Sequence, residues 1–410
     1  MNYRAIKDGA IVYSGFAFKR ADLTSSGDIP VIKIGNLVDK TVDYSKTDFF
    51  SYDLLNEKVK KYFLDDRDVL IAMTGQGSVG RVAQLRKKKK NDVLLLNQRV
   101  GKFVCNPQKL DNDYLFYVLS SSYFQEILFN LGYGSGQPNL SPETILNVLI
   151  PFPNISTQKN IASLLSSFDD KIALNTSINE NLEQQAQAIF KSWFVDFEPF
   201  GGVMPSDWRV GKNSEIPMLI TDYVANGSFA LLKKNVTLLQ KVAYAYFIRN
   251  TDLKSNSFNT YVDEHSYNFL SKSSLFGGEI ISNVGDVGSV FLCPKLNKPM
   301  TLGNNIIMIR PEMYEYQYFL YIWFKWGQWQ NYIQGIKGGS AQPKFNKTDF
   351  KNLPIMIPSK SILKEFHFII KVLFEKINLN QSENSRLSTI RDTLFPKLLN
   401  GEIDVSKIKI

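Results

Sequence analysis

The sequence predicts an α+β chain: two tandem mixed α/β domains separated by two long helices that pair as an antiparallel coiled coil, with pseudo-twofold symmetry. Three observations predict it. An apolar stripe of heptad spacing occurs twice, at an offset of 205 residues. Both copies of the stripe carry two consecutive Asn near the middle. The stretch ahead of each stripe carries the same landmarks in the same order, so each copy reads as a mixed domain followed by a long helix. The implied bounds are 1–153 for the first mixed domain and 154–200 for the first spacer helix. The second domain takes 201–357 and the second spacer helix 358–410.

The first stripe is Ile161, Leu165, Phe168, Ile172, Asn175, Asn179, Leu182, Ala186, Ile189 and Trp193. The second is Phe366, Ile370, Leu373, Ile377, Asn380, Asn384, Leu387, Arg391, Leu394 and Leu398. Steps alternating between four and three residues bring one helix stripe against another. An Asn in such a seam is costly unless it faces a hydrogen-bonding group, so it fixes register. Antiparallel pairing sets Asn175 against Asn384, Asn179 against Asn380 and Ile161 against Leu398. Parallel pairing sets Asn175 against Asn380, so the Asn match alone leaves the direction open. The linkers decide it. They are short, roughly Glu198 to Asp207 and Pro354 to Ser359, and domain termini tend to lie close together. The second helix is therefore expected to start near the end of the first and run back. About 33 residues at 1.5 Å each make a rod of roughly 50 Å, with a globular half expected at either end. Apolar residues off the seam are read as contacts for partner helices: Leu174, Ile178 and Phe194 on the first helix, Leu379 and Ile390 on the second. Packing on their own domains is the alternative.

In the first domain, Ile29–Ile34 and Asp68–Met73 read as strands by their β-branched and apolar runs. GQGSVGR (75–81) turns the chain into Val82–Leu85, and Val93–Leu96 leads into Asn97-Gln-Arg-Val100. A helix is predicted over 113–131, a last strand over 148–151, and Ser156 or Thr157 as the cap of the long helix. In the second domain, Gly227-Ser-Phe229 echoes Gly15-Phe16, Val284-Gly-Asp-Val-Gly288 echoes Gly77-Ser-Val-Gly80, and Gly303-Asn-Asn-Ile306 stands in place of Asn97–Val100. An aromatic helix over 315–333 matches the one over 113–131. One spacing departs: Trp208 to Gly227 is 19 residues and Tyr3 to Gly15 is 12. Either the first copy lacks an opening strand or its start lies upstream.

With 410 residues, 44% of them hydrophobic, two or more cores are affordable. A net charge of +9 favours a polyanionic partner. Cys105, Cys293, His265 and His367 are scattered, which predicts neither a metal site nor a disulfide framework and fits a reducing cytosol. No stretch reads as a signal core or a membrane span.

Catalytic motifs are missing. GQGSVGR contains GxGxxG after a strand, but Arg81-Val-Ala-Gln-Leu85 runs into Lys87–Lys90 and opens no amphipathic helix, so its glycines are read as turn residues of positive φ. No phosphate loop is present. Asn106-Pro-Gln-Lys109 fails the amino-methyltransferase pattern, and Asp169-Asp170-Lys171 is a solvated helix face rather than a nuclease centre. A binding protein is therefore expected. Its DNA-contact candidates in the first copy are Gln76, Ser78 and Arg81 at the turn, the run Lys87, Lys88, Lys89 and Lys90, and Gln137 with Asn139. In the second copy they are Lys337, Ser340, Gln342 and Lys344. For the lysine run a solvated loop is the alternative, and the Gln-Pro turns are alternatively mere connectors. Tyr318, Trp323, Trp326, Trp329 and Tyr332 are read as core rather than as a stacking platform for bases.

The chain resembles the specificity subunit of type I restriction-modification enzymes over nearly its whole length. The resemblance rests on Gly15-Phe-Ala-Phe18, Gly77-Ser-Val-Gly80, Leu96-Asn-Gln-Arg-Val100, Gln137-Pro138, Ile150-Pro-Phe-Pro153 with Gln158, and Phe190-Lys-Ser-Trp-Phe-Val-Asp-Phe197. It continues in Trp208, Val287-Gly288, Asn304-Asn305, Gln342-Pro343 and Phe395-Pro-Lys-Leu-Leu-Asn-Gly-Glu402. The resemblance implies two target recognition domains reading a bipartite site on double-stranded DNA. It also implies helices that recruit two methyltransferase subunits, and restriction subunits that join that core. It implies adenine methylation by the partner, with S-adenosylmethionine bound there and no cofactor in this chain. A stand-alone methyltransferase or nuclease with unfamiliar motifs, and a coiled-coil adaptor that never touches DNA, are the competing readings.

Overall fold

The computed structural model describes residues 2–133, 138–283, 288–335, 347–405 and 408. It divides into two compact units, Met1–Ala173 with Asn384–Ile410, and Leu174–Glu383. Both divisions fall inside long helices. The first long helix, Ile155–Phe194, and the second, Lys360–Leu399, have 40 residues each, seven more than the stripe. Each helix thus gives one segment to each unit.

In the first unit, Tyr3–Ala5 pairs antiparallel with Leu149–Pro151. The opening strand is therefore present, and of the two readings of the 12-residue spacing the one in which it is missing is wrong. In the second unit Arg209–Lys212 pairs antiparallel with Pro354–Ile357 in the same way. Part of its added length is a 3-10 turn, Tyr223–Asn226, placed just before Gly227.

The central sheets repeat one order. In the first unit Ala10–Ser14, Val100–Cys105, Val69–Ala72 and Val82–Gln84 lie side by side, all antiparallel. In the second unit the order is Met218–Asp222, Ile306–Pro311, Ile280–Asn283 and Val290–Leu292, again antiparallel. A second sheet in each unit holds one parallel pair, Leu95–Leu96 with Ile29–Ile32 and Met300–Leu302 with Ala245–Ile248.

The single helix expected over 113–131 is two, Asn112–Ser120 and Ser122–Gly132. Ser121 breaks it with extended backbone (ψ 151°), and its hydroxyl accepts from Phe124 N at the new start. The aromatic helix breaks likewise, into Tyr316–Lys325 and Gly327–Gly335, at Trp326 (ψ 142°). The apolar pattern runs through both breaks, which is why periodicity alone misses them. Tyr318, Trp323 and Trp329 lie in the core, Trp326 packs against it, and Tyr332 is exposed.

The long helices pair within each unit, and the partner numbers fall on one helix as they rise on the other. In the second unit Asn380 Nδ2 donates to Asn179 Oδ1 at 2.8 Å, and Phe366 meets Phe190 and Phe194. In the first unit Asn384 Nδ2 lies 3.5 Å from the Ile172 carbonyl, and Arg391 is ion-paired with Asp169. The pairing is antiparallel in both. None of the twenty seam residues is exposed. The Asn179–Asn380 pair is the one expected. Asn175, expected against Asn384, donates its amide to Glu383 Oε2 at 2.8 Å, one residue earlier. The first long helix is capped by Asn154, whose Oδ1 accepts from Thr157 N, rather than by Ser156 or Thr157. Gln158 is buried, accepting from Asp111 N and donating to the carbonyls of Lys109 and Pro153, which ties the helix start to its domain.

Candidate nucleic-acid interface

In the first unit three loops leave the central sheet at one end. The first follows Ser14. Gly15 lies so close to the next turn that a Cβ there would sit 2.4 Å from the carbonyl oxygens of Leu96 and Asn97. The second is the turn after Ala72, where Gly75, Gly77 and Gly80 take φ of 109°, 72° and 81°. These are conformations that side chains disfavour, and a strand, not a helix, follows at Val82–Gln84. Tyr133 holds the tip by accepting from Gly77 N at 2.9 Å. The third is Asn97–Arg99, where Gln98 N donates to the Phe16 carbonyl and the Arg99 carbonyl accepts from Met73 N. Asn139 joins them through its bridge to Thr74.

The edge so formed exposes Gln76, Gln98, Arg99 and Asn139, with Ser78 half-buried. Amide and guanidinium groups are those that meet base edges in pairs, Gln or Asn with adenine and Arg with guanine. Arg81 belongs to the scaffold. Its guanidinium donates to the carbonyls of Leu37 and Gly77, at 2.9 and 3.0 Å, and so holds the turn closed. Gln98 and Arg99 were not among the sequence-derived contacts. Their signal was the alignment of Asn97–Val100 with Gly303–Ile306, a turn matched in place but not in side chains.

Lys87–Lys90 lies elsewhere. Val69 pairs with Gln84, so this loop leaves the hairpin at the end opposite to Gln76. Its backbone is pinned: Asp66 accepts from Lys87 N, Tyr44 Oη from Lys88 N at 2.6 Å, and Asp92 from Lys89 N. Burial, the largest influence, pushes the Tyr44 phenol above its usual range. It stays protonated and donates to Asp92 Oδ2. Lys88, Lys89 and Lys90 are exposed, Lys87 half-buried. This is a built loop that presents ammonium groups, suited to phosphates rather than bases.

The same end of the second unit's sheet carries the loop after Asp222 and Gly303–Asn305. Asn304 and Asn305 are exposed there, Asn305 with φ 61°. They occupy the place of Gln98 and Arg99. A second repeated device is a glutamine at the same offset of 205. Gln125 donates to the carbonyls of Gly80 and Leu119, Gln330 to those of Gly288 and Phe324. Each ties the broken helix to the glycine two residues ahead of a strand, Val82–Gln84 or Val290–Leu292. Gln137, Lys337, Ser340, Gln342 and Lys344 lie outside the described residues.

Of the off-seam apolar residues, Leu174 and Leu379 are exposed and Ile178 and Ile390 half-buried. Phe194 is a correction. It is 1% exposed, packed on Trp208, Phe319 and Phe366, so its own unit uses it. Among the described residues no group of His, Cys, Asp and Glu could hold a metal ion, and no helix is long and apolar enough to cross a membrane.

Residues 1–184 and again 205–389 match the family described as "Type I restriction modification DNA specificity domain". The chain is 30% identical over 317 residues to the Type I restriction enzyme MjaIX specificity subunit of Methanocaldococcus jannaschii, covering 72% of this chain and 70% of that one. It is 27% identical over 329 residues to the Type I restriction enzyme HindI specificity subunit of Haemophilus influenzae, covering 65% and 71%. Its fold is similar to the crystal structure of the type I restriction-modification system S subunit from M. genitalium. The TM-score is 0.57 at 18% identity, over 97% of this chain and 95% of that one.

Proposed function

Because this chain belongs to the type I restriction modification DNA specificity family, we propose that each of its units reads one half of a split DNA target. The chain is the DNA-specificity subunit of such a system, a recognition protein and not the catalyst. It assembles with DNA and with modification and restriction subunits. In the finer reading the target is double-stranded and two methyltransferase subunits dock along the long helices. S-adenosylmethionine then binds in those subunits, none is held by this chain, and the complex works in the cytoplasm. The unabsorbed apolar residues Leu174 and Leu379 support helix-mediated docking.

One observation carries the two-reader proposal. The two central sheets have the same strand order, yet the matching loop ends in Gln98-Arg99 in one and Asn304-Asn305 in the other. A shared scaffold with different side chains at the same end is what two readers of different half-sites require. Each long helix also contributes residues to both units, and we take helix length as what sets the gap between half-sites. The test is methylation mapping in cells that carry the chain and its methyltransferase. A bipartite motif is expected. Deleting residues 172–178 and 377–383 together should shorten its unspecified spacer while leaving both half-sites intact. A motif with one undivided half, or a spacer unmoved by the deletion, would contradict the proposal.

A further inference from the structure

In the second unit the chain leaves the central sheet at Asp222, at the end where Asp222 pairs with Ile307 and the exposed Asn304-Asn305 turn begins. It passes Tyr223–Asn226, is fastened by Asn226 to Lys272 and Ser273, and enters the helix Phe229–Asn235. Ser228 caps that helix by accepting from Leu231 N. Leu232 alone of its apolar residues is buried, in a cluster with Ala245, Phe247, Val262 and Leu270. Phe229 is 78% exposed. Lys233 and Lys234, in the last turn, are exposed as well.

The first unit does the opposite at this point. After Gly15, Phe16 and Phe18 turn inward, with ring contacts to each other and to Tyr62 and Phe50. The second unit therefore adds, at the end of its sheet where the loops gather, a short helix that presents an aromatic ring and two ammonium groups. The helix is anchored through Leu232, so its fold gives no reason for Phe229 to stand in water. A ring beside paired cations suits a ligand that is both apolar in its grooves and polyanionic along its backbone.

We propose that the helix Phe229–Asn235 is a DNA-contact element peculiar to the second reader. Lys233 and Lys234 neutralise phosphates beside the second half-site, and Phe229 makes apolar contact with base edges within it, as Phe does with thymine methyl groups. This rests on the two-reader proposal above and adds the residues that one reader has and the other lacks.

The experiment uses the chain assembled with its methyltransferase subunits, and duplexes carrying the motif found by methylation mapping. Lys233→Ala with Lys234→Ala should lower the slope of log affinity against log salt by about 1.8, from two lost phosphate contacts at about 0.9 each. Lys295→Ala, at the far end of the same sheet, should leave the slope unchanged. Phe229→Ala should weaken binding by about tenfold or more on the intact motif, with the salt slope retained. It should have no effect on a duplex whose second half-site is scrambled. Unaltered circular dichroism shows that the helix still folds. An unchanged slope and affinity in these variants would overturn the proposal. So would a Phe229→Ala defect in assembly with the methyltransferase in place of DNA binding. If the wild-type complex shows no preference for its motif, the two-reader proposal itself fails, which separates the two outcomes.

Discussion

The Asn179–Asn380 hydrogen bond is the most direct test of how the long helices hold their register. Asn380 is 2% exposed and Asn179 half-buried. Replacing Asn380 by Leu leaves the Asn179 oxygen without that donor inside an apolar seam. A polar group orphaned in this way costs about 1–3 kcal/mol. Replacing both by Leu removes the orphan, and an apolar pair is near neutral or stabilising. All five Trp, at 193, 208, 323, 326 and 329, fall within the unit Leu174–Glu383 that holds both Asn. Tryptophan fluorescence during urea unfolding therefore follows this unit. With a urea dependence of about 2 kcal/mol per M, Asn380→Leu should lower the midpoint by roughly 0.5–1.5 M. Asn179→Leu should lower it by less, and the double variant should recover most of the loss. That recovery is a coupling of about 1–3 kcal/mol. A double variant as unstable as the two single changes added together would refute the reasoning, because no interaction would then join the pair. The expected penalty of the stable double variant is lost register: methylation mapping should then find spacers of more than one length.

Three further outcomes follow from the same structure. Changing Lys87, Lys88, Lys89 and Lys90 to Ala should lower the salt slope of DNA binding by roughly 0.9 for each phosphate lost, up to about 3.6, without altering the motif, measured by fluorescence anisotropy. Gln125→Ala and Gln330→Ala each remove two hydrogen bonds at about 1 kcal/mol apiece, so each should lower its own unit's melting temperature by several degrees in calorimetry. His367 is buried against Tyr314 and Tyr318, and desolvation, with Lys371 as a second cause, holds its pKa below the ordinary 6.5. The unfolded chain thus binds a proton between the folded pKa and 6.5 that the folded chain refuses. Stability is full above pH 6.5 and falls as pH drops from 6.5 towards the folded value. His367→Phe should flatten that fall in tryptophan-monitored urea midpoints at pH 7.5 and 5.5.

The seam was legible because its defects are as periodic as its apolar positions. Asn175 and Asn179, repeated at Asn380 and Asn384, mark both helices at a common phase. Direction was legible only through the short linkers. Helix breaks were not, since Ser121 and Trp326 interrupt the backbone without interrupting the apolar pattern. Phe194 misled because a helix that passes from one packing partner to another has no fixed outer face. Its ring lies off the heptad stripe yet meets Trp208 and Phe319. The spacing from Trp208 to Gly227 also misled. It counted residues without showing that Tyr223–Asn226 coils them into a 3-10 turn.

The sequence named residues of the candidate interface but not how they divide in space, for a topological reason. Arg81 and Lys87 are six residues apart, and an antiparallel hairpin carries those six residues along its length. The glycine turn and the lysine loop therefore sit at opposite ends of Val82–Gln84. Conversely, Gln76, Arg99 and Asn139 are far apart in sequence and share one end, because strands that alternate in direction collect every second connection there. Such an end tolerates change. Gly15, Gly80, Arg81 and Gln125 fix the backbone through carbonyls and close approach, leaving Gln98 and Arg99 to vary without disturbing the sheet. The second unit shows that freedom used twice. Asn304-Asn305 replaces the amide and guanidinium, and Phe229–Asn235 replaces an inward-packed loop, while Gln330 still closes on Gly288 as Gln125 closes on Gly80. Specificity can thus diverge at the loops because the interactions that hold their ends are made by the backbone and by residues set behind them.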